Sequence, residues 1–124
     1  MTGREYQELA MRTNDGKNKI RLFEKTARLE NINLGDVLNA SLGLSGEVGE
    51  LNDQIKKWIF HEKPLDEMHL KKELGDVLWY AALMCEAFGW TLDRVMALNV
   101  KKLKERYPDG FDTFRANHRI EGDV

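Results

Sequence analysis

The chain has one cysteine and two prolines among its 124 residues, and no long apolar run. A single cysteine, Cys85, cannot close an internal disulfide, so nothing calls for an oxidising compartment. No segment approaches the roughly 18–20 apolar residues of a membrane span. The opening Met1-Thr2-Gly3-Arg4-Glu5 has no apolar stretch behind its charge, unlike a signal peptide. Charge of one sign is also lacking, since 19 Lys+Arg stand against 21 Asp+Glu for a net charge of −2. That balance argues against a general nucleic-acid binder, while leaving room for a small basic pocket for phosphates. Hydrophobic residues are 42% and charged residues 32%, a globular and not a disordered composition. The expectation is a single domain over 1–124, cytoplasmic, with neither membrane nor nucleic acid as partner.

What is present is helical periodicity. Leu44, Val48, Leu51, Ile55 and Ile59 form one stripe, and Leu70, Leu74, Val77, Ala81, Met84 and Phe88 form a second. Val95, Leu98, the stem of Lys102 and Leu103 begin a third. Lys63-Pro64 reads as a turn, and Asp66 as the N-cap of a helix running to about Phe88. Gly89 suits the position after that helix, and Thr91 caps the next, which ends before Pro108. Asp109-Gly110 continues that turn. Upstream, Tyr6 to Arg12 predicts a short helix, Asn14-Asp15-Gly16 a loop and Lys19 to Glu30 a helix, and Gly35-Asp36 leads into the helix that carries Leu44. No segment alternates like a strand. The fold class is therefore all-α, with four main helices in a four-helix-bundle-like domain.

Two spacings carry the chemistry. Glu47-Val48-Gly49-Glu50 and Glu73-Leu74-Gly75-Asp76 each place carboxylates at i and i+3, where each pair converges on one patch of a helix. The 22 residues between Glu50 and Glu73 suffice to finish one helix, turn at Pro64 and return antiparallel. The two pairs can then face each other. Four acids so placed would raise one another's pKa values unless neutralised, and a hard divalent cation such as Mg²⁺ prefers oxygen ligands. An i, i+3 acid pair alone is ordinarily a solvated face. Here the acids interleave with apolar stripe residues, and Gly43, Gly46, Gly49 and Gly75 sit among them. Each glycine costs roughly 1 kcal/mol relative to alanine within a helix, which suggests close approach of a backbone or ligand.

On the third helix Asn99 and Lys102 share a face, with Arg106 one turn further on. Lysine is a mobile point charge suited to phosphate oxygens, and an amide can donate to phosphate or ribose. The bland alternative is a solvated basic face at a helix C-terminus. Lys56 and Lys57, two turns beyond Glu50, are secondary candidates for the same work.

Three motifs in order, Gly43-Leu44-Ser45-Gly46-Glu47-Val48-Gly49-Glu50-Leu51, Lys72-Glu73-Leu74-Gly75-Asp76-Val77-Leu78-Trp79-Tyr80, and Asn99 through Phe111, resemble the MazG-like nucleotide pyrophosphohydrolases of the all-α NTP pyrophosphohydrolase superfamily. The resemblance is close over 41–112, and the opening Tyr6-Gln7 to Thr13 looks like the start of short, phage-type members. It implies Mg²⁺-dependent hydrolysis of a nucleoside triphosphate between the α and β phosphates, with Mn²⁺ a substitute metal. It maps Glu47, Glu50, Glu73 and Asp76 onto the metal ligands, and Asn99 and Lys102 onto positions holding phosphates or sugar; on chemical grounds a glutamate not fully engaged by metal, Glu47 or Glu50, is the expected general base. It also implies a homo-oligomer, a dimer or tetramer, with the site near a subunit interface. Gly46 and Lys72 depart from the pattern, standing where many members carry a further glutamate. Phosphoribosyl-ATP is an alternative substrate within the superfamily, and a catalytically silent helical interaction module is the reading outside it.

Other residues carry less. Trp58, Trp79, Trp90, Phe60, Phe88 and Phe111 are expected in the core or a subunit interface. Tyr80, one turn after Asp76, is the better base contact. His69 follows Asp66 as a cap's neighbour, and Cys85 is expected buried and inert. The tail from His118 to Val124 lacks an apolar face, which points to fraying.

Overall fold

A computed structural model describes residues 1–118, and these form six helices with no strand among them. They are α1 (Gly3–Met11), α2 (Asn18–Arg28), α3 (Leu34–Phe60), α4 (Glu67–Phe88), α5 (Leu92–Arg106) and α6 (Thr113–Asn117). The all-α expectation is met. Residues 119–124, most of the tail expected to fray, lie outside the described residues.

The punctuation that ends each helix is largely the punctuation visible in the sequence. Asp66 caps α4, its Oδ1 accepting from the His69 N–H at 3.0 Å. Gly89 closes α4 at φ 74°, a left-handed conformation that costs glycine nothing, and Trp90 N–H returns to the Cys85 carbonyl at 2.9 Å. Two elements differ from expectation. The first helix starts at Gly3 because Thr2 and Glu5 form a reciprocal capping box. The short α6 was not expected; Asp112 caps it, accepting from the Phe114 and Arg115 N–H groups.

The main packing is an antiparallel hairpin of α3 and α4, to which α5 adds a smaller contact along α4. Asn33 anchors its open end, donating its N–H to the Ala87 carbonyl at 3.2 Å while its side chain caps α3 through Asp36. Small residues allow close approach there: Ala40 is fully buried, and Cys85 and Ala87 nearly so. Leu44, Leu51, Ile55, Leu70, Val77, Ala81, Met84 and Phe88 are half-buried along the hairpin. The rest of the predicted stripes stays uncovered, with Leu74 54% and Val48 45% exposed. Trp58, Trp79, Trp90, Phe60 and Phe111 are likewise exposed, which corrects their placement in the chain's own core. Phe88 is half-buried and stacks on Trp90 at 4.5 Å.

Candidate metal centre

Midway along the hairpin the two helices bring their acids together. Gly43 lies against Tyr80 on one side of this level, and Lys57 shares a cavity with Asp66 and His69 on the other, so α3 and α4 run past the acids in fixed antiparallel register. One carboxylate oxygen each from Glu47, Glu73 and Asp76 lies within 4.8 Å of the others. Glu73 is 9% exposed, and Glu47 is half-buried. Glu50, exposed on the next turn of α3, hydrogen-bonds to Glu73 but is not one of the three converging groups. The four expected ligands thus divide into a triad and a neighbour.

The electrostatics match that crowding. The hydrogen bond to Glu73, followed by desolvation and the nearby charges of Glu50, Glu73 and Asp76, pushes the Glu47 carboxyl up to about 7. Glu50 is raised as well, first by its hydrogen bond to Glu73. Glu73 moves the other way, held low by hydrogen bonds from Glu47 and Glu50 and then by His69. Without a cation, the α3 carboxyls hold their protons more tightly than free ones and Glu73 holds its own less tightly.

The residues fit a divalent cation. Glu47 Oε2 and Glu73 Oε2 are buried with no hydrogen-bond partner, a costly condition that an ion between them relieves. Oxygens bound to one Mg²⁺ at ~2.1 Å lie at most ~4.2 Å apart, so a small side-chain adjustment turns the triad into a ligand set. All the donors are hard oxygens, as Mg²⁺ or Mn²⁺ requires.

The other expected residues are more scattered in role. Asn99, Lys102 and Arg106 form one stripe of α5, the first exposed and the other two half-buried. Lys57 pairs with Asp53 at 2.6 Å and lines a cavity of about 200 Å³ with Gln54, Trp58, Lys63, Asp66 and His69. The Tyr80 ring is laid on α3, where a Cβ at Gly43 would fall 2.2 Å from it. That ring is engaged in packing, and it stays half-buried. The close-approach argument holds for Gly43 alone among the motif glycines, since a Cβ on Gly46, Gly49 or Gly75 would meet nothing within 4 Å.

Sequence reasoning missed His69. Its Nε2 lies 2.9 Å from Glu73 Oε1, a bond that joins the cap of α4 to the acid cluster. The signal was the i, i+4 spacing of a histidine before a site glutamate.

Comparison with known proteins gives the family. The MazG nucleotide pyrophosphohydrolase domain matches residues 36–111, from the first turn of α3 to just beyond α5. The chain belongs to this family. The MazG match takes in the whole acid triad together with the α5 stripe. The chain is also similar to the "Gene 37 protein" of Mycobacterium phage L5, 33% identical over 76 residues, or 56% of this chain and 65% of that protein. It therefore spans just under two thirds of that phage relative's length, in keeping with a short, phage-type MazG chain. No solved structure matches it. None of the helices among the described residues is long and apolar enough to cross a membrane.

Proposed function

We propose that this MazG chain hydrolyses a nucleoside triphosphate at the α–β bond, giving a monophosphate and pyrophosphate, and that Mg²⁺, or Mn²⁺ in its place, is required. The observation that carries the reading is the pair of buried, partnerless oxygens on Glu47 and Glu73 inside an acid triad of a pyrophosphohydrolase family. A deoxynucleoside triphosphate surplus to the cell's nucleotide pool is the substrate this reading favours, with the cytoplasm as its place.

Glu47, Glu73 and Asp76 would hold the cation. When bound, it would neutralise triphosphate charge and fix its orientation. Phosphoryl transfer depends mainly on positioning and charge neutralisation, so the remaining work falls to donors and a base. Glu50 suits the base: it lies outside the triad, is exposed, and its raised pKa makes it the better proton acceptor for an attacking water. Asn99, Lys102 and Arg106 would donate to phosphates or sugar from one stripe of α5, with Lys57 contributing from the hairpin turn.

The reading includes a homo-oligomer, dimer or tetramer. A folded monomer of 14.4 kDa exposes about 6800 Å². This chain exposes 10630 Å². The excess, counted over two chains, is at least as large as obligate interfaces remove, and the four-helix bundle would be completed by helices of a second copy.

The test is a panel of nucleoside triphosphates and phosphoribosyl-ATP incubated with Mg²⁺, with products resolved by ion-exchange chromatography. Monophosphate plus pyrophosphate from one or a few nucleotides supports the proposal and names the substrate. Orthophosphate alone would refute α–β cleavage, and turnover of phosphoribosyl-ATP only would move the chain to that reaction. No turnover and no metal-dependent stabilisation would leave a silent helical module.

A further inference from the structure

His69 sits where two local constraints meet. Its backbone N–H is fixed by the Asp66 cap, which places it in the first turn of α4, and Glu73 follows one turn later on the same face. The imidazole is more than half exposed, whereas the Glu73 side chain it reaches is the most enclosed acid of the cluster. Glu73 Oε1 lies 2.9 Å from Nε2, and a carboxylate oxygen at that distance accepts while the ring N–H donates. The result is a carboxylate with unequal oxygens: Oε1 is tied to His69, and Oε2 is buried without a hydrogen-bond partner. The imidazole is not itself one of the groups that converge within 4.8 Å among the described residues.

We propose that His69 is a positioning residue: its Nε2–H holds Glu73 Oε1 and thereby keeps Oε2 aimed at the oxygens of Glu47 and Asp76, ready for a divalent cation. A glutamate has three side-chain torsions to lose on binding an ion. Anchoring one oxygen beforehand removes much of that loss, and it keeps Glu73 from turning toward solvent.

The inference rests on the metal reading, so its test measures metal and not turnover. Mn²⁺ is titrated into the full chain without nucleotide, and the free ion is followed by electron paramagnetic resonance. His69→Ala should weaken Mn²⁺ binding by roughly 10- to 100-fold, the range found when such supporting partners are removed. His69→Gln, whose amide N–H can reach one turn along the helix, should recover most of that loss. Circular dichroism should show the same helix content in both, and His69→Leu replaces the alanine variant if it does not. Binding by His69→Ala within twofold of the unaltered chain would overturn the proposal. So would equal losses in the alanine and glutamine variants, which would assign the effect to shape and not to the donated hydrogen bond. An unaltered chain that takes up no Mn²⁺ would refute the metal reading itself, and that result is distinct from both.

Discussion

Between α3 and α4 the chain satisfies itself; along α1, α2 and α5 it does not. The hairpin has a cap at its turn, an Asn33–Ala87 tie at its open end and its few buried residues near that end. The flanking helices keep Leu9, Ile20, Phe23, Leu98 and Leu103 in solvent. Helices of 9, 11 and 15 residues are marginal alone and draw their stability from packing. The acids lie on the self-sufficient part, so the metal centre needs only the hairpin for its geometry. The α5 donors and the apolar flanks need something more, which the proposed second copy supplies. Substitutions that act on one region and spare the other will test this division.

The largest effect is expected at the centre itself. Glu73→Gln keeps the shape but removes the charge that ionises most readily, and should lower pyrophosphate release by roughly a thousandfold or more, several kcal/mol of lost charge stabilisation. Its melting temperature without metal should fall modestly, since the ionised Glu73 is held by hydrogen bonds from Glu47, Glu50 and His69. A variant with near-normal turnover would show that the acids are not the centre.

The next effect belongs to the uncovered side. Leu98, on α5, is 57% exposed in the single chain, so Leu98→Asp costs the isolated protomer little. Against a second copy it forfeits roughly 1.5–3 kcal/mol of apolar burial, about 10- to 100-fold in dissociation constant, before any cost of burying the charge. Sedimentation at falling concentration should show the variant dissociating first. Unchanged association would place the interface elsewhere on the exposed apolar surface.

How far these features were readable beforehand follows the same division. The hairpin was legible: the Pro64 turn, the Asp66 cap and the Gly89 stop are local signals, and i, i+3 acids on two helices joined by a short turn can face each other. The capping box at Thr2 and Glu5 was equally local and was overlooked. The fate of Trp79 or Leu74 was not legible, because periodicity shows which face is apolar and not what covers it. The same holds within the site. Spacing put Glu50 on an equal footing with Glu47, and only the relative rotation of two packed helices admits one to the triad and sets the other beside it. Likewise spacing did not show that Gly43 lies beneath the Tyr80 ring.

That ring supplies a paired test of hairpin packing. Gly43→Ala drives a Cβ into Tyr80 and should destabilise the chain by about 1–3 kcal/mol in urea unfolding. Gly46→Ala, facing open space in the same helix, should gain up to about 1 kcal/mol from helix propensity. Opposite signs three residues apart are the expected result. Two losses of equal size would mean that Gly46 too lies against a neighbour, as it would if a second copy packed there.

The smallest effect is a slope with pH, and its sign is fixed by the shared proton. Glu47 rises from an ordinary value of 4.5 to about 7 in the folded chain, chiefly through its hydrogen bond with Glu73. Between those values the folded state keeps a proton that the unfolded state has released. Stability of the metal-free protein therefore falls as pH climbs through that window, and levels off above it. Glu50, also raised, adds to the fall. Glu73, lowered, works in the opposite sense, but its contribution is lost only as pH drops below the usual carboxylate range. Melting followed from about pH 5 to about pH 8 should decline without metal. Saturating Mg²⁺ should flatten or reverse that decline, because the carboxylates must give up their proton to bind the ion. A slope that survives intact in Glu47→Gln would trace it to other groups and separate the proton from the metal centre.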